Sequence, residues 1–182
     1  MNITAQEEYG LRCLLRVAKH ESGDPMRTQE VAVAEGISLE YAAKLMRTLK
    51  NGGFVASTRG SAGGYLLARP AAEISVWQVI EALDGPLYEE KFCDAHTGSQ
   101  RDCKHSTDCS IRALWRNLNG ILKSALSVIS LADLSRDEVA TGTWLLRSVA
   151  AVEAGRHDRF TTTPPASLPG VAATPGSEEA LR

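Results

Sequence analysis

The chain has 182 residues, of which 43% are hydrophobic and 23% charged, with a formal net charge of -2. That length supports one ordinary buried core, so one domain with an appendage is expected. No apolar run is long enough to span a bilayer, and the opening MNITAQEEYG lacks a basic-then-apolar secretion signal, so the expectation is a cytoplasmic protein with no membrane partner. The small net charge hides an asymmetry. Residues 38–69 carry +4, from Lys44, Arg47, Lys50, Arg59 and Arg69 against Glu40, and the rest carries -6. A basic patch on an acidic protein points to a polyanion at one surface.

In chain order, the pattern predicts a helix over 4–20, opened by a Thr4/Glu7 capping box and carrying Leu11, Leu14, Leu15 and Ala18 on one face. Cys13 beside that face reads as a small buried hydrophobe, and Glu8 reads as the i,i+4 partner of Arg12. Thr28 is expected to cap a short helix ending at Gly36, and Ser38 to cap a second helix reaching about Asn51. Helix, tight turn, helix is the helix-turn-helix pattern. Tyr41, Ala42, Leu45 and Leu49 form the inward face of the second helix, which leaves Glu40, Ala43, Lys44 and Arg47 outward, where a DNA major groove would meet them.

Two β-prone runs, 54–58 and 64–68, flank RGSAG and predict a hairpin. A basic hairpin after a recognition helix is a wing, and Arg59 at its tip suits a minor groove. The expected DNA-contacting set is therefore Ser38, Glu40, Tyr41, Lys44, Arg47 and Lys50, with Arg59 and Gly60 of the wing. Ser75 is expected to cap a further helix that Gly85-Pro86 stops.

Next comes CDAHTGSQRDCKHSTDC, residues 93–109, which has no hydrophobic period and reads as an exposed loop. Its cysteines are spaced Cys93-x9-Cys103-x5-Cys109. In a reducing compartment, clustered thiols point to metal binding or redox chemistry, and thiolates suit zinc, cuprous copper and iron-sulfur clusters. The tight C-x2-4-C knuckle of structural zinc is missing. A metal-free thiol switch is the other reading, since Lys91, Arg101, Lys104 and His105 are cationic neighbours. Three thiols leave a site one ligand short, to be completed by His96, His105, a carboxylate or another subunit. Nucleophilic-cysteine enzymology is poorly supported: no oxyanion-hole motif, phosphate loop or paired-carboxylate site accompanies the thiols, so the protein reads as a non-enzyme.

After the loop, Ser110 is expected to cap a helix to about Leu131, with Ile111, Leu114, Trp115, Leu118, Ile121, Leu122, Ala125 and Ile129 as a continuous stripe roughly 30 Å long. One small head cannot cover such a stripe, so a homodimer through this helix is expected, which would set two recognition helices on a near-palindromic double-stranded operator. Ser135 and Glu138 suggest another capping box, opening a possible helix through about Ala154. From Thr161 the chain has four of its seven prolines and three charges, and reads as a disordered tail.

The motifs EEYGLRCLL, VAVAEGISLEYAAKLMRTLKNGGFVASTRGSAGGYLLARP, ISVWQVIEALDGP and CSIRALWRNLNGILKSALSVISLADL closely resemble the Rrf2 family of bacterial winged-helix regulators, which includes iron-sulfur and nitric-oxide sensors. The resemblance covers about residues 1–134, and its most specific parts are the RG-x-x-GGY-x-L wing and the cysteine loop joined to ALWR. It implies a mainly α fold with a small β wing, built as a winged helix-turn-helix DNA-binding domain over 1–85. A cluster-binding loop over 86–110 and a long dimerisation helix over 111–134 would follow, then a possible extra helix over 135–160 and the tail 161–182. It also implies a dimeric transcription factor with an iron-sulfur cluster, two-iron or four-iron, on Cys93, Cys103 and Cys109.

Two positions depart from the IscR-type pattern. The nine-residue first interval is longer, and the histidine ligand three residues after the last cysteine is replaced by Arg112. NsrR-like members use an acidic residue near the N-terminus of the partner subunit, where this chain has Glu8. The resemblance thus makes Glu8 the leading fourth ligand, with His105 and His96 as alternatives. IscR-type members also carry glutamate where this chain has Ala43, so their base preference does not transfer.

Overall fold

A computed structural model describes residues 3–20, 24–58, 63–99 and 101–148. The wing tip, with Arg59 and Gly60, the part of the expected extra helix over 149–160, and the tail from 161 lie outside the described residues.

α1 (Ala5–Ala18) starts as its sequence predicts. Thr4 Oγ1 accepts from the Glu7 amide at 3.2 Å, and the Glu7 carboxylate accepts the Thr4 amide at 2.7 Å. The helix stops two residues short of His20. α2 (Thr28–Glu35) begins one residue earlier than expected, because Arg27 and not Thr28 is the N-cap. The acceptor comes from Glu30, whose carboxylate takes the Arg27 amide at 2.7 Å, so no capping hydroxyl is needed. Gly36 then turns the chain with φ +66. Ser38 caps α3 (Leu39–Asn51) by accepting the Tyr41 amide at 3.1 Å. Ala42, Leu45 and Leu49 are buried, and so is Met46, which the predicted inward face omitted.

β1 (Val55–Thr58) and β2 (Gly64–Leu67) pair antiparallel, with Val55 opposite Leu67 and Thr58 opposite Gly64. Met26 adds an isolated antiparallel bridge to β2, exchanging hydrogen bonds of 2.9 and 2.8 Å with Tyr65. A Cβ on Gly64 would lie 2.7 Å from the Met26 carbonyl oxygen, so this close approach requires glycine.

α4 (Val76–Leu83) carries the predicted Ser75 cap, extended by Gln78 into a capping box, and ends before Gly85 at φ +86. A short helix α5 (Phe92–Ala95) and the long α6 (Ser110–Ser127) follow. α6 ends earlier than the predicted Leu131. Residues 129–131 are extended instead, with the Val76 amide bonded to Ile129 O at 2.9 Å and the Leu131 amide to Ile74 O at 2.8 Å. The spacing of Ile129 and Leu131, both buried, is the period-2 pattern of a strand, and it satisfies backbone groups flanking the start of α4. α7 (138–148) is capped by Asp137, whose carboxylate accepts the Ala140 amide at 2.8 Å. The expected Ser135 cap is displaced because Ser135 closes a 3-10 turn (Asp133–Ser135).

The core gathers Leu14, Val31, Leu45, Met46, Leu49, Ile74 and Val79 of the head with Leu131 from the segment after α6. Cys13 belongs to it with no exposed surface, and burial pushes its thiol up to about 12. It is an inert packing residue, as its position predicts.

Candidate nucleic-acid interface and cysteine loop

On α3, Ser38, Glu40, Lys44, Arg47 and Lys50 are exposed side by side. Tyr41 is half-buried and meets the Tyr9 ring edge-on at 6.1 Å, so its body belongs to the core side. Lys50 Nζ donates to Ser57 Oγ on β1 at 2.7 Å, tying the end of the recognition helix to the wing. Arg69, counted in the basic patch, is committed elsewhere. It donates to Glu73 O and Gln78 Oε1, each at 3.1 Å, and lies over the Phe54 ring. The exposed cations left on α3 are Lys44 and Arg47, at helix positions that can meet phosphate or base edges.

Between α1 and α2 lies an ion cluster that the sequence reading missed. Glu35, the last residue of α2, is buried, and its two oxygens accept from Arg12 Nε at 2.9 Å and Arg16 Nε at 2.8 Å. Burial pushes the Glu35 carboxyl up, but the arginine hydrogen bonds and charges outweigh it and hold it below the ordinary carboxylate range. Arg12 is also 3.8 Å from Glu8, the pairing expected from their spacing, and Glu8 is exposed. Only the buried partner signals the cluster, and burial is not visible in a sequence.

The cysteine segment is as open as its composition predicts, with no buried residue among the described ones of 93–109, but it leans on a buried neighbour. Tyr88 is only 9% exposed, and its hydroxyl lies 3.5 Å from Cys93 Sγ at the border of α5. The hydrogen bond to Cys93 is the largest cause pushing the Tyr88 hydroxyl up, followed by burial, against the opposing charges of Arg116 and Arg112. His96 stacks on Phe92 at 4.0 Å, and its Nδ1 contacts Phe92 O at 2.9 Å. His105 is exposed. Cys109, not Ser110, is the N-cap of α6, and its Sγ accepts the Arg112 amide at 3.4 Å. A thiol can hold that place because its sulfur offers an acceptor where a helix leaves amides unpaired.

Cys93, Cys103 and Cys109 are free thiols of intermediate exposure. Among the described residues, no three cysteine, histidine or acidic side chains converge on a common point. The three thiols fit a thiophilic metal group in kind and leave one ligand to be supplied from elsewhere, and the loop does not close on a centre by itself. Glu8, carried on α1, is likewise not brought into one donor group with them.

From this loop α6 runs with Ile111, Leu114, Trp115, Leu118 and Ile121 each between 37% and 59% exposed. Farther along, Leu122 and Leu126 turn toward α4 and line an apolar hollow of about 450 Å³ with Ile3, Trp77, Ile80 and Leu87. The helix is therefore anchored to the head at its C-terminal part, while the apolar stripe of its N-terminal part is uncovered within one chain. Among the described residues, no helix is long and apolar enough to cross a membrane.

The Rrf2 family model, described as an iron-dependent transcriptional regulator, matches residues 3–137. The chain is 35% identical over 137 residues to the Rrf2 protein of Nitratidesulfovibrio vulgaris, covering 75% of this chain and 89% of that protein. It is also 35% identical over 137 residues to the transcriptional regulator IscR of Vibrio atlanticus, covering 75% and 76%. Among solved structures it is similar to CymR, the global cysteine regulator of B. subtilis, with TM-score 0.58, 27% identity and coverage of 74% and 96%. With the winged helix-turn-helix head in place and this match along three quarters of its length, the chain belongs to the Rrf2 family of transcriptional regulators, which are not enzymes.

Proposed function

We propose that the protein is a cytoplasmic, homodimeric DNA-binding regulator whose hold on a near-palindromic operator is controlled by an iron-sulfur cluster on the cysteine loop. The observation that carries this reading is the construction of α6. Its first turn is capped by Cys109. Its far end continues into 129–131, which is hydrogen-bonded to the segment entering α4. One rigid element thus joins the thiol loop to the DNA-reading head, and its bare apolar stripe suits a second copy of the same helix.

Cys93, Cys103 and Cys109 would hold the cluster, with Glu8 of the partner subunit as fourth ligand and His105 or His96 as alternatives. His96 is engaged with Phe92, which makes His105 the less encumbered histidine. Such a cluster, two-iron or four-iron, supplies a redox-active centre open to nitric oxide, oxygen or changes in iron-sulfur supply. An oxygen ligand is the hard donor of the set and so the exchangeable corner. The chain's own part is mechanical. A ligand shared between one protomer's loop and its partner's α1 fixes how the two heads sit, and because both must meet successive turns of DNA, a small rotation changes affinity. On the DNA side, Lys44 and Arg47 of α3 and Arg59 and Gly60 of the wing make the contacts, supported by Ser38, Glu40, Tyr41 and Lys50.

Purification without oxygen, with iron and sulfide counts, a visible spectrum and operator binding before and after cluster removal, tests this reading. A coloured, iron-containing dimer whose DNA affinity changes on removal is expected. A colourless, iron-free dimer with unchanged binding would overturn it.

A second reading keeps the regulator and makes the thiols a disulfide or zinc switch. It is favoured by a solved relative described as a cysteine regulator. Native mass spectrometry separates the two readings by bound mass.

A further inference from the structure

Tyr88 stands out in the cysteine segment because it is a buried residue beside a loop with no core of its own. Its ring lies 6.1 Å from Phe92 at a 46° tilt, packing that a phenylalanine would provide equally well. A buried phenol also needs a hydrogen-bond partner, and the atom within reach is Cys93 Sγ at 3.5 Å. The turn between them is held against α6 as well, because Arg116 on α6 pairs with Glu90 at 3.2 Å.

The sulfurs are therefore not equivalent. Cys109 Sγ takes a backbone amide at the start of α6, while Cys93 Sγ meets a side-chain hydroxyl that substitution can remove without touching the backbone. Donors aimed at ligand sulfurs draw charge from them and raise the potential of a bound cluster.

We infer that Tyr88 is a positioning residue for Cys93, its hydroxyl fixing the direction of Sγ and donating to that sulfur when it serves as a ligand. The consequence for the cluster rests on the proposed function; the contact itself does not.

The test compares the full-length protein with Tyr88→Phe, which keeps the ring. In cluster-loaded protein the variant should hold the same iron content, and its potential in a redox titration should move to more negative values. In cluster-free protein the reporter is tryptic cleavage after Lys91, an exposed residue between the two partners. Loss of one hydrogen bond should speed that cleavage by about 2–10-fold. The same substitution in a Cys93→Ala background should add nothing, since the partner is already gone.

A negative shift together with a non-additive cycle supports the assignment. An unchanged potential in an iron-loaded variant overturns it, and so do equal effects of Tyr88→Phe in both backgrounds. A wild-type protein that binds no iron sinks the proposed function instead, and the cleavage cycle then decides the Tyr88–Cys93 contact alone.

Discussion

Arg16 on α1 donates to Glu35 at the end of α2 across 2.8 Å, and Arg12, one turn earlier, donates to the other oxygen of the same carboxylate at 2.9 Å. The first helix of the head is thereby fastened to the helix that precedes the recognition helix. Glu35→Gln should lower stability by about 1–3 kcal/mol, the range for hydrogen bonds to charged groups, reduced here because both arginines are half-exposed to water. The carboxyl lies below its ordinary range when folded. Its stabilisation is therefore present above the unfolded value and lost as pH falls through the folded one. Thermal melts from neutral pH downward should show the gap between wild type and variant closing in acid.

Cys109 combines two roles that substitution can separate. Cys109→Ser keeps an N-capping acceptor and should preserve the helicity and melting temperature of the cluster-free protein, while Cys109→Ala should lose about 0.5–2 kcal/mol with the cap. Both variants should fail to hold iron. Circular dichroism and iron counts on the pair check this.

Buried thiols and loop thiols should differ in reactivity. In the folded, cluster-free protein, iodoacetamide at neutral pH should label Cys93, Cys103 and Cys109 within minutes and leave Cys13, whose thiol is pushed up to about 12, unmodified. Peptide mass spectrometry with and without denaturant reads the difference.

The bare stripe of α6 predicts an oligomeric phenotype without a folding defect. Leu118→Glu with Ile121→Glu places charge on positions already exposed within one chain, so the head should stay folded while sedimentation shows a shift to monomer. Operator affinity should fall with it, because one head alone meets half a site.

Lys44 and Arg69 should separate DNA contact from head stability. Lys44→Ala should weaken DNA binding and reduce the dependence of log affinity on log salt by about 1. Arg69→Ala should leave that slope unchanged and lower the melting temperature, since Arg69 is spent on Glu73, Gln78 and Phe54. Affinity measured across a salt series, with melts of each variant, distinguishes the two.

The chain announces much of its own architecture. Thr4 with Glu7, Gly36, Ser38 and Ser75 mark helix ends by local chemistry, which needs only a few neighbouring residues, and each stands in the structure as its sequence predicts. The β-prone runs 54–58 and 64–68 and the stripe along α6 are equally local. The structure departs from the local signals where two of them compete or where a distant partner decides. Asp137 takes the cap from Ser135, and Cys109 takes it from Ser110. Ile129 leaves the helical stripe because backbone groups some fifty residues earlier need partners.

By itself, then, the sequence determined the run of helices, the wing, the basic face of α3 and the three thiols ahead of a long apolar helix, because periodicity, capping and residue chemistry act over a few positions. Tertiary structure alone decided which charges are spent inside the head, as with Glu35 and Arg69, which helix end is tied down, and which sulfur has a phenol beside it. Those outcomes depend on burial and on contacts between segments far apart in the chain. No local pattern encodes the distance from Tyr88 to Cys93, or the meeting of Glu35 with two arginines on another helix.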